Sequence, residues 1–266
     1  AGTNIKKELF FAGCPKRDSP FVLTLFCAQY IMECNVNSET EITIMSYPMV
    51  HLKVAYELFV RYGDGWIERP GDFLLGSVAP DAVHFHDRYD ASLKEKSHLW
   101  EFGPRWGITV DSEGWLEAIR KFWKENQSVG NRDFMAGYCT HLLTDWENDR
   151  CIWTPFREKM MQGADLDEVY GQYAAEAYGI DQWLYQNDRE SPEIWRLLEQ
   201  GQICGVEGCI LKEDLARQKQ SLLYEQFVGK AVADVSGYRF CTKEIMERFM
   251  ETCVEKVCRE IGDFYD

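Results

Sequence analysis

Apolar residues return along most of this chain with the period of an α-helix. From Asp133 to Asp149, DFMAGYCTHLLTDWEND, the residues Phe134, Tyr138, His141 and Asp145 follow one another at helical spacing and share one face of a single helix. Leu52, Ala55, Leu58, Phe59 and Tyr62 form a stripe that predicts a helix from His51 to Tyr62. Trp115, Ile119, Phe122 and Trp123 mark the buried side of another, capped by Asp111 or Ser112 and running to about Asn126. Gly130, Asn131 and Arg132 make the turn into the central helix. Beyond it the pattern predicts a short helix from Trp153 to Met161, opening near Thr154-Pro155. A longer one follows from Asp165 to Tyr185, with Val169, Tyr173, Ala177 and Ile180 on one side. Ser191-Pro192-Glu193 starts another. Glu213–Ala233 and Thr242–Ile261 read as two long amphipathic helices, the last with Phe249, Cys253 and Val257 on its core face. No strand run follows residue 50 and no repeat is present. The expected fold is all-α, a single multi-helix domain over residues 45–266.

Two stretches depart from this rhythm. Residues 63–110 carry Gly63, Gly65, Pro70, Gly71, Gly76, Pro80, Gly103, Pro104 and Gly107, and read as a long, partly helical loop region of the kind that carries function. Residues 1–44 place Lys6, Lys7, Lys16 and Arg17 ahead of an apolar run, Phe21–Met32, too short to span a bilayer and interrupted by Pro20 at its edge. They are expected to be an N-terminal extension outside the folded domain.

Composition narrows the function. With 29 Lys and Arg against 44 Asp and Glu the net charge is −15, which repels nucleic-acid phosphates and suits divalent cations. Nucleic-acid scaffold binding is therefore not expected. The ten cysteines form no Cys-x-x-Cys pair and read as reduced thiols of a cytoplasmic protein. The alternative for Cys204 and Cys209, in ICGVEGCI, is a disulfide or a soft-metal site.

The candidate chemistry lies in the histidines. All five fall between His51 and His141. His141 and Asp145, one helical turn apart, reach the same point and make half of a divalent-metal site. A fold that also brought His51, Asp81 and His98 to them would complete a nitrogen and oxygen shell suited to zinc. Each has an ordinary reading as well: His51 as a surface residue at a helix start, Asp81 as a turn or capping aspartate, His84 and His86 as exposed loop residues. Lys94 and Lys96 offer charge to an anionic phosphate or belong to a mobile charged loop. Trp100, Trp106 and Trp146 line a substrate groove or pack the core.

In order, His51, GSVAPDAVH, EKSHLW and GYCTHLLTDW resemble the zinc-dependent phospholipase C family, whose all-helical fold is shared with nucleases of the P1 type. The likeness covers roughly residues 48–150. It implies that Asp81, His98, His141 and Asp145 hold one zinc, and that His51 belongs to a neighbouring site toward which Asp145 leans. One to three zinc ions are implied, with phosphodiester hydrolysis as the activity and Asp81 as the residue that orients the water or acts as base. A small-molecule or lipid phosphoester would be the substrate, the latter with transient membrane-surface contact. Two departures stand out: the family completes the His51-type site with a mature N-terminal amine, whereas fifty residues precede His51 here, and it uses later histidines that this chain lacks. His84, His86 or Glu176 would have to substitute. A degenerate member that binds a metal or phosphorylated ligand without turnover is the alternative.

Overall fold

The computed structural model describes residues 47–63, 65–128, 130–160 and 166–265, without the side chains of 166–168 and 263–265. The proposed extension, residues 1–44, lies outside them. Among the described residues the regular structure is helical, with one isolated bridge between Val206 and Ile210. The helices are α1 (Pro48–Tyr62), α2 (Pro70–Gly76), α3 (Ala91–Ser97), α4 (Ser112–Asn126), α5 (Arg132–Asn148), α6 (Thr154–Met160), α7 (Leu166–Asn187), α8 (Ser191–Gln200), α9 (Lys212–Ser221) and α10 (Lys243–Tyr265). A 3-10 turn (Ala79–Phe85) follows α2, and a π segment (Asp149–Trp153) joins α5 to α6.

α5 is the axis of the molecule. Every residue from Asp133 to Asn148 is buried, so this helix is enclosed on all sides. Its start is set by Asn131, whose side chain accepts from the Phe134 N–H at 3.2 Å. α1, α2, α4 and α10 pack around it. The closest approach is to α2, and glycine makes it possible. A Cβ at Gly137 would strike the Phe73 carbonyl, and one at Gly76 the Phe134 carbonyl. The two backbones touch there, which sets the 3-10 turn and its Asp81 against the side of α5.

α1 starts without a local cap. Tyr47 makes no capping bond; Asp181 of α7 instead accepts from the Val50 N–H at 3.1 Å. A carboxylate 131 residues away in sequence thus fixes the turn that carries His51. α4 follows the expected stripe, with Trp115, Ile119 and Trp123 buried and Asp111 accepting from the Gly114 N–H at 2.8 Å.

Three sequence expectations are corrected. α5 does not end before a separate helix: it widens into the π segment and continues as α6. Pro155 lacks an N–H for the helical ladder, and the widened turn just before it is where the helix adjusts. The expected helix 213–233 stops at Ser221, widens to Gln226 and gives way to irregular chain. Val228 and Val232, 50% and 81% exposed, have no face to bury. Ser191 does not cap α8; its hydroxyl donates to the Leu184 carbonyl at 3.2 Å.

Candidate metal centre

Four stretches deliver the five predicted ligands to one point. α1 brings His51, the 3-10 turn brings Asp81, the end of α3 brings His98, and α5 brings His141 and Asp145. All five are buried. His98 Nε2 lies 3.1 Å from His141 Nε2, 3.4 Å from Asp81 Oδ1 and 3.3 Å from Asp145 Oδ2. His141 Nε2 lies 3.5 Å from Asp145 Oδ2 and 3.9 Å from Asp81 Oδ2. Four ligands about 2.0–2.1 Å from a tetrahedral zinc stand roughly 3.3 Å from one another. The donor set fits that spacing. His51 Nε2 approaches the other Asp145 oxygen, Oδ1, at 3.4 Å, and its ring stacks on His141 at 3.7 Å.

Proton accounting leaves room for a cation. Nδ1 of His141 faces the Ser77 carbonyl and Nδ1 of His98 faces the Lys94 carbonyl, each at 2.9 Å. The Ser77 carbonyl only accepts, so Nδ1 of His141 carries a hydrogen and its Nε2 turns toward the cluster; Nδ1 of His98 also meets the Ser97 hydroxyl at 2.9 Å, and its Nε2 stands 3.1 Å from that of His141. A hydrogen on one Nε2 satisfies this contact, and so does a metal ion bound by both. Carbonyl-anchored imidazoles of this kind are how metal-ligating histidines are oriented. Asp145 points the same way: neither of its buried oxygens has a hydrogen bond, although three imidazoles surround it. Neither nitrogen of His51 has one either. Unpartnered buried groups of this polarity are costly unless an ion supplies the missing contact.

The electrostatics gather charge at this cluster: burial lowers His141, but Asp145, Asp81 and the Ser77 carbonyl outweigh it and raise the ring above its usual value. Burial pushes the Asp145 carboxyl up, but His141, His51 and His98 outweigh it and hold it well below the usual carboxylate range. Asp81 is likewise raised by burial, then carried well below by Lys94, His98 and His141. Burial lowers His51 to about 4, helped by His141, so this ring stays neutral and able to donate a lone pair. Among the described residues the groups near enough to share an ion are His51, His141 and Asp145, and Asp81, His98 and His141.

Local strain fixes His98. It closes α3, and Leu99 after it adopts φ 53°, a left-handed conformation normally left to glycine. The Trp100 N–H reaches back to the Glu95 carbonyl at 2.8 Å and the Leu99 N–H to Lys96 at 3.1 Å, a Schellman closure. The Trp115 indole donates to the His98 carbonyl at 2.9 Å, and Tyr138 donates to the Ser97 carbonyl at 2.6 Å.

The surroundings correct several expectations. His51 is fully buried, because α1 lies under α5 and its first turn faces inward. Lys94 is no loop residue: it is buried on α3, 3.3 Å from Asp81 Oδ1, with its ammonium over the Trp106 ring. Lys96, one step further, is exposed. His84 is half-buried, its Nε2 3.7 Å from Asp81, and burial lowers it to about 3. His86 pairs instead with Asp214 at 2.9 Å. Glu176 is spent on the backbone N–H groups of Arg239, Phe240 and Cys241, and supplies no ligand. Cys204 and Cys209 are free thiols, as are the other described cysteines.

A cavity opens beside Asp145. Trp100, Trp106, Trp115 and Trp153 wall it, with Asn148, Asp149 and Thr109. Trp146 is not among its walls; its indole donates to the Ser112 carbonyl and Arg150 stacks over it. Asn148 and Asp149 escaped the sequence reading, although Asp149 continues the four-residue spacing of His141 and Asp145. No helix among the described residues is long and apolar enough to cross a membrane. No protein-family model, no curated protein and no solved structure matches this chain.

Proposed function

We propose that the chain is a zinc-dependent hydrolase of phosphoric esters, similar in its chemistry to the zinc-dependent phospholipases C. The observation that carries the metal is the convergence of Asp81, His98 and His141 on a buried Asp145 that has no hydrogen bond, at the spacing of zinc ligands. The order of the motifs, from His51 through GSVAPD and EKSHLW to the His141 helix, supports the reaction class. Asp81, His98, His141 and Asp145 would hold one ion, and His51 with the second oxygen of Asp145 would face a neighbouring one. A bound zinc supplies a water of near-neutral pKa and Lewis-acid pull on a phosphoryl oxygen.

The chain's own residues do the rest. Asp81, held ionised by Lys94 and the histidines, is a poor proton carrier and a good orienter of the attacking water. Lys94 places its buried ammonium between Asp81 and the tryptophan wall, where it opposes charge building on the phosphoryl group. Lys96, exposed near the same helix end, steers an anionic substrate inward. The tryptophan walls of the cavity limit water around the reacting centre. A small or lipid phosphodiester is the substrate class, reached at a membrane surface in the latter case.

Turnover of a phosphodiester panel, before and after chelation and again after zinc is restored, tests this reading. Activity that disappears with the metal and returns with zinc is expected. Tight zinc binding with no turnover of any diester would replace it with the non-catalytic alternative.

A further inference from the structure

One carboxylate in the cavity wall is not used by the metal-binding groups. Asp149 stands one turn beyond Asp145, at the point where α5 widens into the π segment. It lines the cavity with Asp145, Asn148 and Thr109, and it belongs to neither group of residues close enough to share an ion. The wide turn is pinned where it starts to matter: the Trp153 indole donates to the Gly107 carbonyl at 2.7 Å, and Tyr173 donates to Asn148 Oδ1 at 3.3 Å. Single π turns of this kind recur where a helix must aim a side chain at a site.

Its neighbourhood differs from that of Asp145. The groups that face it are Asp145 on α5, Thr109 on the loop before α4, Arg157 on α6 and Tyr173 on α7. Burial pushes the Asp149 carboxyl up to about 6, against a hydrogen bond from Thr109 and the charge of Arg157. Asp149 is thus a carboxyl of the cavity wall that faces the same space as Asp145, lies outside both metal-binding groups, and is favoured by burial toward its protonated form. A phosphodiester held at Asp145 has to release an alkoxide into a cavity walled by indoles, where solvent gives that alkoxide little help.

We propose that Asp149 is the general acid that protonates the leaving group, an inference that rests on the phosphoester reading. The oxygen of water forms the new bond to phosphorus, and one proton of that water passes to solvent. The bond from phosphorus to the leaving oxygen breaks with its electron pair on oxygen, which takes the Asp149 proton. Solvent at the cavity mouth then reprotonates Asp149. Substrates with poor, alkyl leaving groups depend on this step, and those with nitrophenyl leaving groups do not.

The test compares a dialkyl phosphate-type diester with its 4-nitrophenyl counterpart on the zinc-loaded full chain and on Asp149→Asn. Turnover of the alkyl ester falls by about 10²-fold or more, in the range of general acid catalysis, and that of the nitrophenyl ester by less than about tenfold. Zinc equivalents stay at the wild-type number, and the wild-type-minus-variant infrared difference at pH 5 contains a protonated-carboxyl band beyond the one that Asp181 gives in both proteins. Asp149→Glu restores part of the alkyl turnover. Equal loss on both esters, or loss of zinc in Asp149→Asn, overturns the acid role. If the variant folds poorly, wild type decides: an alkyl-to-nitrophenyl turnover ratio that does not fall anywhere as pH rises from about 5 to about 9 contradicts it. Wild type that hydrolyses neither ester fails the phosphoester reading itself.

Discussion

Two regions of this molecule bury carboxylates along α5, and they treat them in opposite ways. At the start of α5, Asp72 accepts from the Gln202 N–H at 2.6 Å and from Asn131 Nδ2 at 2.7 Å. Asp133 accepts from the backbone N–H groups of Glu68 and Arg69 at 3.1 and 2.7 Å. Both tie loops to the helix, and their charges are met by donors that folding itself places there. Three turns further on, Asp145 is as deeply buried and has no hydrogen bond. Imidazoles surround it, and Nδ1 of His141 is committed to the Ser77 carbonyl. The first region is complete as a polypeptide. The second gathers groups that could hold a metal ion around a carboxylate with no donor of its own.

The largest test strikes what both regions share. Gly137→Val drives a side chain into the Phe73 backbone, where α2 cannot withdraw without abandoning Asp72 and Asp81. The loss should exceed about 4 kcal/mol, the range of severe core disruption, and leave a chain that melts without cooperativity. A cooperative transition near the wild-type temperature would remove the glycine contact from the account.

The next test separates the regions. Zinc at about a thousand times its dissociation constant stabilises a protein by about 4 kcal/mol, provided it binds only the folded state. Asp145→Ala should lose that stabilisation entirely. Asp72→Ala should cost about 1–3 kcal/mol through its stranded donors, with and without zinc alike, and keep the zinc shift intact. Calorimetric melts in both metal states check the pair. A zinc shift preserved in Asp145→Ala would make Asp145 an ordinary buried carboxylate.

Acid distinguishes them too. His51 and His84 are lowered from 6.5 to about 4 and about 3, so their neutral forms contribute stability that is complete above pH 6.5. That stability is lost as pH falls through the folded values, and Asp81 and Asp145, held low, follow at still lower pH. Asp149, raised to about 6, and Asp181, raised well above its usual value, oppose that loss over the same window, so the readout is a difference: urea midpoints of zinc-free His51→Gln should fall less than those of wild type between pH 6.5 and 4. A variant whose midpoint tracks wild type over that window would contradict the buried placement of His51. The smallest effect belongs to Leu99: Leu99→Gly relieves a left-handed residue worth about 1 kcal/mol but loosens His98, so zinc affinity should fall while stability changes little.

How much of this was legible follows from the range of each interaction. The helices with one apolar face, α4 and the last, were readable because burial of a stripe is a local property of the sequence, whereas the burial of α5 on all sides was not. So was the His141 and Asp145 pair, since one helical turn brings them together. The cap of α1 was not, because its partner, Asp181, lies on another helix. Nor was the continuity of α5 into α6, where Thr154-Pro155 reads as the start of a new helix and a π turn joins the two. The burial of Lys94 was hidden as well: only the fold puts a carboxylate and an indole around an ammonium that the sequence places among charges. The meeting of His51, Asp81 and His98 with α5 came from motif order, and its physical reason, the Gly76 and Gly137 contact, is visible only in three dimensions.

The most direct measurement is elemental analysis of the protein purified without chelator, for wild type and for the double variant His141→Ala with Asp145→Ala. Wild type should carry at least one zinc equivalent, and the double variant, still helical by circular dichroism, should carry none. A wild type that holds no metal after zinc loading, or a folded double variant that holds as much as wild type, would contradict the claim that these residues form a metal centre.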